Sequence, residues 1–377
     1  MATSTASDKL ALIKENLSEV LNVEIIESVL AEGRPLKVYW GTAPTGQIHC
    51  GYFVPMIKIA QLLAAGCEIQ CLLADIHGFL DNLKAPLDLV QQRAEYYRLT
   101  ISAMLESIGV PTEKLRFVLG SSYQKNPEYI MDVYKLSSLI TEHDARKAGA
   151  EIVKQSSNAP LSGLLYPILQ VLDEQYLDVD VQFGGKTIDP VSIYSPWRRA
   201  HLLSFMVPGI NGGKMSSSDP DSKIDILDSA EVVAKKIRKS LAVPRIVEEN
   251  GLLAFVEFVL LPAAALKGRR EFVVDRSRDG LEPLVYSNIE EVQNDYRNDV
   301  LNPQLLKPAI TQALLAILAP IQAKYQESKE WQEITLKAYP PVEKPKKEKK
   351  AKKVGTGHPG RPKTQIPEHI KAAKAEV

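Results

Sequence analysis

Between residues 36 and 119 strand-like and helix-like segments alternate without interruption, and this constrains the chain more than any other feature. Residues 36–42 read as a strand, and 49–65 as an apolar helical run closed by Gly66. Residues 68–75 read as a second strand, 88–108 as a long helix closed by Gly109, and 115–119 as a third strand. Strands separated by helices pair in parallel through right-handed crossovers, so an α/β fold with a doubly wound parallel sheet is expected. Before this unit, Leu10, Ile13, Leu17, Val20 and Leu21 recur at helical spacing and predict a helical segment over 1–35. After Ser218 strand signals thin out, and 229–242, 249–266, 288–299 and 303–327 are helical in period. The expected division is a helical segment to residue 35, a sheet domain over 36–228, an α-helical domain over 229–343 and a tail over 344–377.

Composition narrows the class further. With 45% hydrophobic and 24% charged residues, a chain of 377 residues is neither a disordered polymer nor a disulfide scaffold. The net charge of zero conceals an asymmetry: the last 34 residues carry +8, leaving −8 on the rest. Seven lysines fall in the ten positions from Lys344 to Lys353, and this low-complexity tail is expected to be disordered alone. An arm for nucleic acid or another polyanion, a solubilising tail and a nuclear localisation signal all fit it. Cys50, Cys67 and Cys71 form no C-x-x-C and read as buried thiols in a reducing compartment. No metal site is expected. The first eight residues have no apolar h-region, and the greasy stretch 252–266 is too short to cross a bilayer. An intracellular protein with no membrane partner is expected.

Three constellations carry chemistry. Pro44-Thr-Gly-Gln-Ile-His49-Cys-Gly51 follows a strand and opens a helix, where backbone N–H groups and the helix dipole favour an anion. It contains neither a dinucleotide fingerprint nor a P-loop. Gly212-Gly-Lys214-Met-Ser-Ser-Ser218 describes a loop with one cation and several small donors, suited to closing over a polyphosphate. On a helix, Tyr166, Gln170 and Asp173 share one face while Leu164, Leu165, Ile168, Leu169, Val171 and Leu172 fill most of the rest. A helix apolar nearly all round is buried, so its polar stripe needs a partner, such as a cavity for a polar small molecule. Taken singly, each also reads blandly, as an incidental turn, a surface loop or a solvent-facing stripe.

Jointly, these segments and Tyr39-Trp-Gly-Thr-Ala-Pro-Thr-Gly46 resemble the class I aminoacyl-tRNA synthetases, specifically the eukaryotic-type tyrosyl-tRNA synthetases. The resemblance runs over most of the chain and implies a Rossmann-type parallel sheet with a C-terminal α-helical anticodon-binding domain. It implies a tyrosine–tRNA ligase that makes tyrosyl-adenylate from L-tyrosine and ATP with Mg2+, then transfers tyrosine to tRNA(Tyr). A cytoplasmic homodimer is implied, and the basic tail adds the expectation of a nuclear pool. Pro44–Gly51 matches the family's HIGH-type signature and Lys214–Ser218 its KMSKS loop. The resemblance makes His49, Lys214 and Ser217 catalytic. It assigns ATP to Gly41, Thr42, Pro44, Thr45, Gly46, His49, Gly51, Lys214, Met215, Ser216, Ser217 and Ser218. Tyr39 and Asp173 match the pair that bonds the substrate phenol, Tyr166 and Gln170 match residues at its α-amino end, and His77 lines the same pocket. Tryptophanyl-tRNA synthetase shares this fold and loop logic; the Tyr39–Asp173 pair argues for a phenol over an indole.

The chain departs from the family in two places. Ser217 stands where many class I enzymes have a second lysine, as it does in eukaryotic-type members. After Gln182-Phe-Gly-Gly185 the family continues with Asp-Gln-Arg-Lys and a helix, whereas this chain reads Lys186-Thr-Ile-Asp-Pro-Val-Ser-Ile-Tyr-Ser-Pro-Trp197. Pro190 and Pro196 would break a helix. The departure predicts weak tyrosine activation, with a tRNA-binding or regulatory form as the competing reading.

Overall fold

The computed structural model describes residues 5–81, 85–112, 115–149, 160–185, 198–205, 209–210 and 223–341. Six strands form the central sheet: β1 (Glu19–Leu21), β2 (Lys37–Thr42), β3 (Glu68–Leu73), β4 (Leu115–Leu119), β5 (Val181–Gly185) and β6 (Ala200–Ser204). Their order is β1-β6-β5-β2-β3-β4. β2 through β6 run parallel, and β1 closes one edge antiparallel to β6. From β2 the chain winds outward through β3 to β4, then returns to β5 on the other side of β2. The β2–β5 boundary is therefore the topological switch point, and the crevice beyond the carboxyl ends of these strands is where open α/β sheets take ligands.

Strand alternation separates the two faces. Val38 and Trp40 enter the main core beneath the helix Phe53–Ala64, whereas Tyr39 and Leu72 belong to a smaller cluster with Leu177 and Val179 on the opposite face. On that face His201, Gln182, Tyr39, Gln70 and Arg116 line up across five strands. Gln70 Nε2 donates to the Leu177 carbonyl at 3.0 Å, which satisfies one of these polar groups. The helix Ser162–Tyr176 packs here too, burying Ile168, Leu169, Val171, Leu172 and Asp173.

Several expectations are corrected. The first 35 residues are not helical throughout. Helices Ala6–Lys14 and Val23–Ala31 flank β1, and Asn16 and Asn22 adopt left-handed φ of 55° and 54° that end one element and begin the next. A three-residue strand is too short to show a period of two, so Leu17, Val20 and Leu21 mimic helical spacing. Gly66 and Gly109 close their helices with φ of 87° and 86°, as their positions suggested. All three cysteines are buried and free, as buried thiols were expected to be.

In the C-terminal half the helices Ala230–Lys239, Gly251–Phe255 continuing to Leu261–Leu266, Ile289–Arg297 and Pro303–Glu327 fall where the periodicity places them. Each of these begins at a polar N-cap: Ser229, Asn250, Asn288 and Asn302 accept first-turn N–H groups. The strand pair Phe272–Val274 and Leu284–Tyr286 and the helix Lys329–Ala338 were not legible from the pattern. By length and composition Pro303–Glu327 is apolar enough to cross a bilayer. Its Leu306, Ile310, Leu314, Leu318 and Ile321 instead belong to the main core. The tail 344–377 lies outside the described residues.

Candidate active site

At the switch point a cavity of about 130 Å³ is lined by Tyr39, Gly41 and Ala43 from β2 and its exit, and by Leu72 of β3 and Ala74 just after it. His77, Tyr166, Gln170 and Asp173 come from two helices, and Gln182, Phe183 and Gly184 from β5. The cavity thus brings together all five residues that the resemblance assigned to one pocket, from segments up to 134 positions apart in the chain.

Asp173 is its electrostatic centre. It is 1% exposed, and its Oδ1 accepts from Tyr123 Oη at 2.7 Å, Gln124 Nε2 at 2.7 Å and Tyr129 Oη at 2.9 Å. Burial raises its pKa; His77 and the three donors work in the opposite direction. Its Oδ2 faces His77 Nε2 at 3.5 Å. Burial also lowers the His77 pKa, so the imidazole is neutral at pH 7, and its Nδ1 has no hydrogen-bond partner among the described residues. Tyr166 meets the His77 ring edge-on at 4.6 Å. The Tyr39 phenol is pushed up in pKa first by burial, then by Glu174 and Asp173, with a hydrogen bond to Gln182 opposing them. A phenol held neutral and the Asp173 carboxyl group therefore line one cavity, a donor and an acceptor for a ligand hydroxyl.

The turn 43–51 leaves β2 beside this cavity. Pro44 seats on Gly78, where a Cβ would come within 3.3 Å of Pro44 Cδ. Thr42 is buried, and its carbonyl accepts the Ala74 N–H at 2.9 Å. His49 caps the short turn Cys50–Tyr52: its Nδ1 accepts the Gly51 N–H at 3.2 Å. Two consequences follow. The Gly51 N–H is not free to meet an anion, and with Nδ1 accepting, the one hydrogen of the neutral ring sits on Nε2. Burial, reinforced by the Lys223 charge, lowers the His49 pKa to about 4.

The lysine motif, Lys214, Met215, Ser216, Ser217 and Ser218, lies outside the described residues, as does the divergent stretch 186–197. The chain that follows the motif is described from Lys223, and it runs beside the histidine turn. The Cys50 N–H donates to the Ile224 carbonyl at 2.8 Å, the Ile226 N–H to the Ile48 carbonyl at 3.3 Å, and His49 bridges to Asp225. β5 and β6, on either side of 186–197, keep a parallel register from Val181–Ala200 to Gly185–Ser204.

The model of the class I tRNA synthetases (W and Y) matches residues 31–319. This chain belongs to that family. Among relatives of this class I synthetase, the cytoplasmic tyrosine–tRNA ligase of Saccharomyces cerevisiae is 49% identical over 96% of both chains. The cytoplasmic tyrosine–tRNA ligase of Danio rerio is 50% identical over 90% of this chain, which spans only 64% of that longer relative. The structure of the Archaeoglobus fulgidus tyrosyl-tRNA synthetase complexed with L-tyrosine superposes with a TM-score of 0.74 at 30% identity. That match covers 85% of this chain and 99% of the other.

Sequence reasoning missed four residues of the synthetase site. Gln182 lies opposite Tyr39 in the sheet register, a pairing visible only once β5 is known to neighbour β2. Tyr123, Gln124 and Tyr129 come from segments whose periodicity carries no functional signature. Among the described residues no group of three His, Cys, Asp or Glu could hold a metal.

Proposed function

We infer that this chain is a tyrosine–tRNA ligase, acting in the cytoplasm as its relatives' names state. The observation that carries this is the Tyr39–Asp173 pair in one cavity at the sheet switch point, next to the His49 turn. A substrate phenol placed there donates to Asp173 Oδ2 and accepts from Tyr39. Phenylalanine would leave both groups buried and unpaired, and tyrosyl-tRNA synthetases as a class reject it by about 10⁵ without editing for that reason. An indole offers a donor and no acceptor, so the pair disfavours tryptophan. Tyr166 and Gln170 hold the α-amino end, and His77 orients the Asp173 carboxylate.

ATP would lie along Gly41–Gly51 with its phosphates facing His49 Nε2–H, and the resemblance assigns Lys214 and Ser216–Ser218 to the same nucleotide. Mg2+ arrives with ATP on the phosphates. The tyrosine carboxylate oxygen bonds to the α-phosphorus while the α–β P–O bond breaks, its electrons leaving on pyrophosphate. A ribose hydroxyl of tRNA(Tyr) then attacks the acyl carbon and AMP departs. No side chain is covalently modified, so positioning and charge stabilisation supply the rate.

Residues 229–343 serve as the anticodon-binding part, and the basic tail adds salt-sensitive attraction to tRNA phosphates. For a homodimer, the helix Pro127–Ser137 offers an apolar face, with Met131 53% and Tyr134 64% exposed, joined by exposed Leu139 and Leu161. Tyrosine-dependent ATP–pyrophosphate exchange, followed by charging of tRNA(Tyr), tests the assignment. Exchange with tryptophan in place of tyrosine, or with neither, overturns it.

A further inference from the structure

Gly46 lies in the turn between β2 and His49, and its carbonyl is held from two sides. Tyr97 Oη donates to it at 2.7 Å from the helix Leu87–Ser107. Tyr339 Oη, 293 positions along the chain, donates to the same oxygen at 2.7 Å from the end of the helix Lys329–Ala338. A carbonyl oxygen has two lone pairs, and here phenols from two separate helical segments take both, so the turn is tied to each of them. Tyr339 is itself fixed. Arg93 Nε donates to the Ala338 carbonyl at 3.2 Å, its guanidinium lies 5.1 Å above the Tyr339 ring, and Tyr96 meets that ring edge-on at 5.1 Å. On the other side of Gly46, the Tyr97 hydroxyl lies 3.4 Å from that of Tyr52, whose ring meets His49 edge-on at 5.3 Å.

The segment paired with the histidine turn is held from the same half of the molecule. Gln322 Nε2, on the helix Pro303–Glu327, donates to the Ile226 carbonyl at 3.2 Å and the Asp228 carbonyl at 2.9 Å. Ile226 is the residue that donates to Ile48. Two polar side chains of the C-terminal helices thus grip the two backbone segments that meet at His49, and neither side chain lines the tyrosine cavity.

We propose that Tyr339 and Gln322 are positioning residues for the nucleotide half of the site. They set the Gly46–His49 turn against residues 224–228, and so set where His49 Nε2 stands on the ATP phosphates. Through them the C-terminal helices are coupled to ATP use and not to tyrosine binding. The proposal rests on the ligase reading above.

The test uses the full chain with Tyr339→Phe, which keeps the ring stacked on Arg93, and Gln322→Met, which keeps the volume. Pyrophosphate exchange is measured with ATP and tyrosine varied separately, and hydrogen exchange is followed by mass spectrometry over 43–52. Each variant is expected to lose roughly fivefold in kcat/KM for ATP, the scale of one hydrogen bond, with KM for tyrosine unchanged and faster amide exchange at 45–50. Wild-type ATP parameters in both variants, or an equal loss for both substrates, would overturn the proposal, as would unchanged protection over 45–50. Wild-type protein without tyrosine-dependent exchange would instead sink the ligase reading, and the protection data would still decide whether Tyr339 holds the turn.

Discussion

The Tyr123 hydroxyl donates to Asp173 Oδ1 at 2.7 Å, so a residue on the short helix Ser121–Gln124 after β4 favours the ionised form of a carboxyl group fifty positions later. Gln124 and Tyr129 join it on the same oxygen. The three donors stabilise the ionised form that burial opposes, and they leave Oδ2 turned to His77 and the cavity.

Tyr123→Phe removes one donor to a charged acceptor. Such bonds contribute roughly 1.5–3 kcal/mol, so KM for tyrosine should rise about tenfold or more while KM for ATP holds. The carboxyl pKa should move further up, shifting the acidic limb of the tyrosine KM profile to higher pH. Steady-state kinetics across pH 5–8 would show it, and an unmoved limb would count against Asp173 as the phenol acceptor.

Asp173→Asn should separate stability from function. The folded carboxyl has a raised pKa, so the folded state binds the extra proton and ionisation costs stability as pH rises above the ordinary carboxylate range. The amide escapes that penalty and still accepts from the three donors. The variant is expected to melt no lower than wild type at pH 7, with any advantage shrinking as pH falls toward 4, and to lose tyrosine activation. Calorimetry at several pH values checks the sign.

Gly120→Ala reaches the site indirectly. A Cβ there would stand 2.7 Å from Gln124 Oε1 and 3.1 Å from Asp75 Oδ1. The amide end of Gln124 is the softer neighbour and should swing away from Asp173. A several-fold rise in KM for tyrosine, with normal folding, is the expected result, and Gly120→Ala kinetics indistinguishable from wild type would refute this route.

His49 should leave a signature in stability at mildly acid pH. Its folded pKa of about 4 lies below the ordinary 6.5, so its contribution is complete above pH 6.5 and is lost as pH falls through 4, up to about 3 kcal/mol. His49→Asn keeps an N-cap acceptor and cannot titrate. The difference in stability between wild type and this variant should therefore change steeply between pH 6.5 and 4, and thermal melts across that window measure it.

Tyr134→Glu places a charge in the exposed apolar face of Pro127–Ser137. Sedimentation should find a dimer for wild type and a monomer for the variant. A monomeric wild type would remove the dimer from the functional account.

The parallel sheet was legible because β2, β3 and β4 each carry a compact apolar run bounded by a helix cap, and Gly66 and Gly109 mark the stops. The polar stripe of Tyr166, Gln170 and Asp173 was legible because a buried helix cannot leave such groups unpartnered. β1 was not, since three residues carry no period and its pairing with β6 is a tertiary choice. Gln182 was hidden for a related reason: its role depends on which strand lies beside β2, and strand order is not written in local pattern. The donors Tyr123, Gln124 and Tyr129 look like ordinary amphipathic residues until Asp173 is placed among them. His49 was placed correctly in the turn, but its use as a cap for Gly51 depends on the backbone angle at residue 49, which composition does not reveal.

The antiparallel edge has a consequence for how the molecule is made. Ser18 hydrogen-bonds to Leu203, 185 positions away, so the first strand emerges from the ribosome long before its mate exists. At synthesis speeds of 5–20 residues per second the wait is roughly ten to forty seconds. Throughout it residues 19–21 cannot pair with β6, and the sheet can be sealed only after the strand on which it closes has been translated.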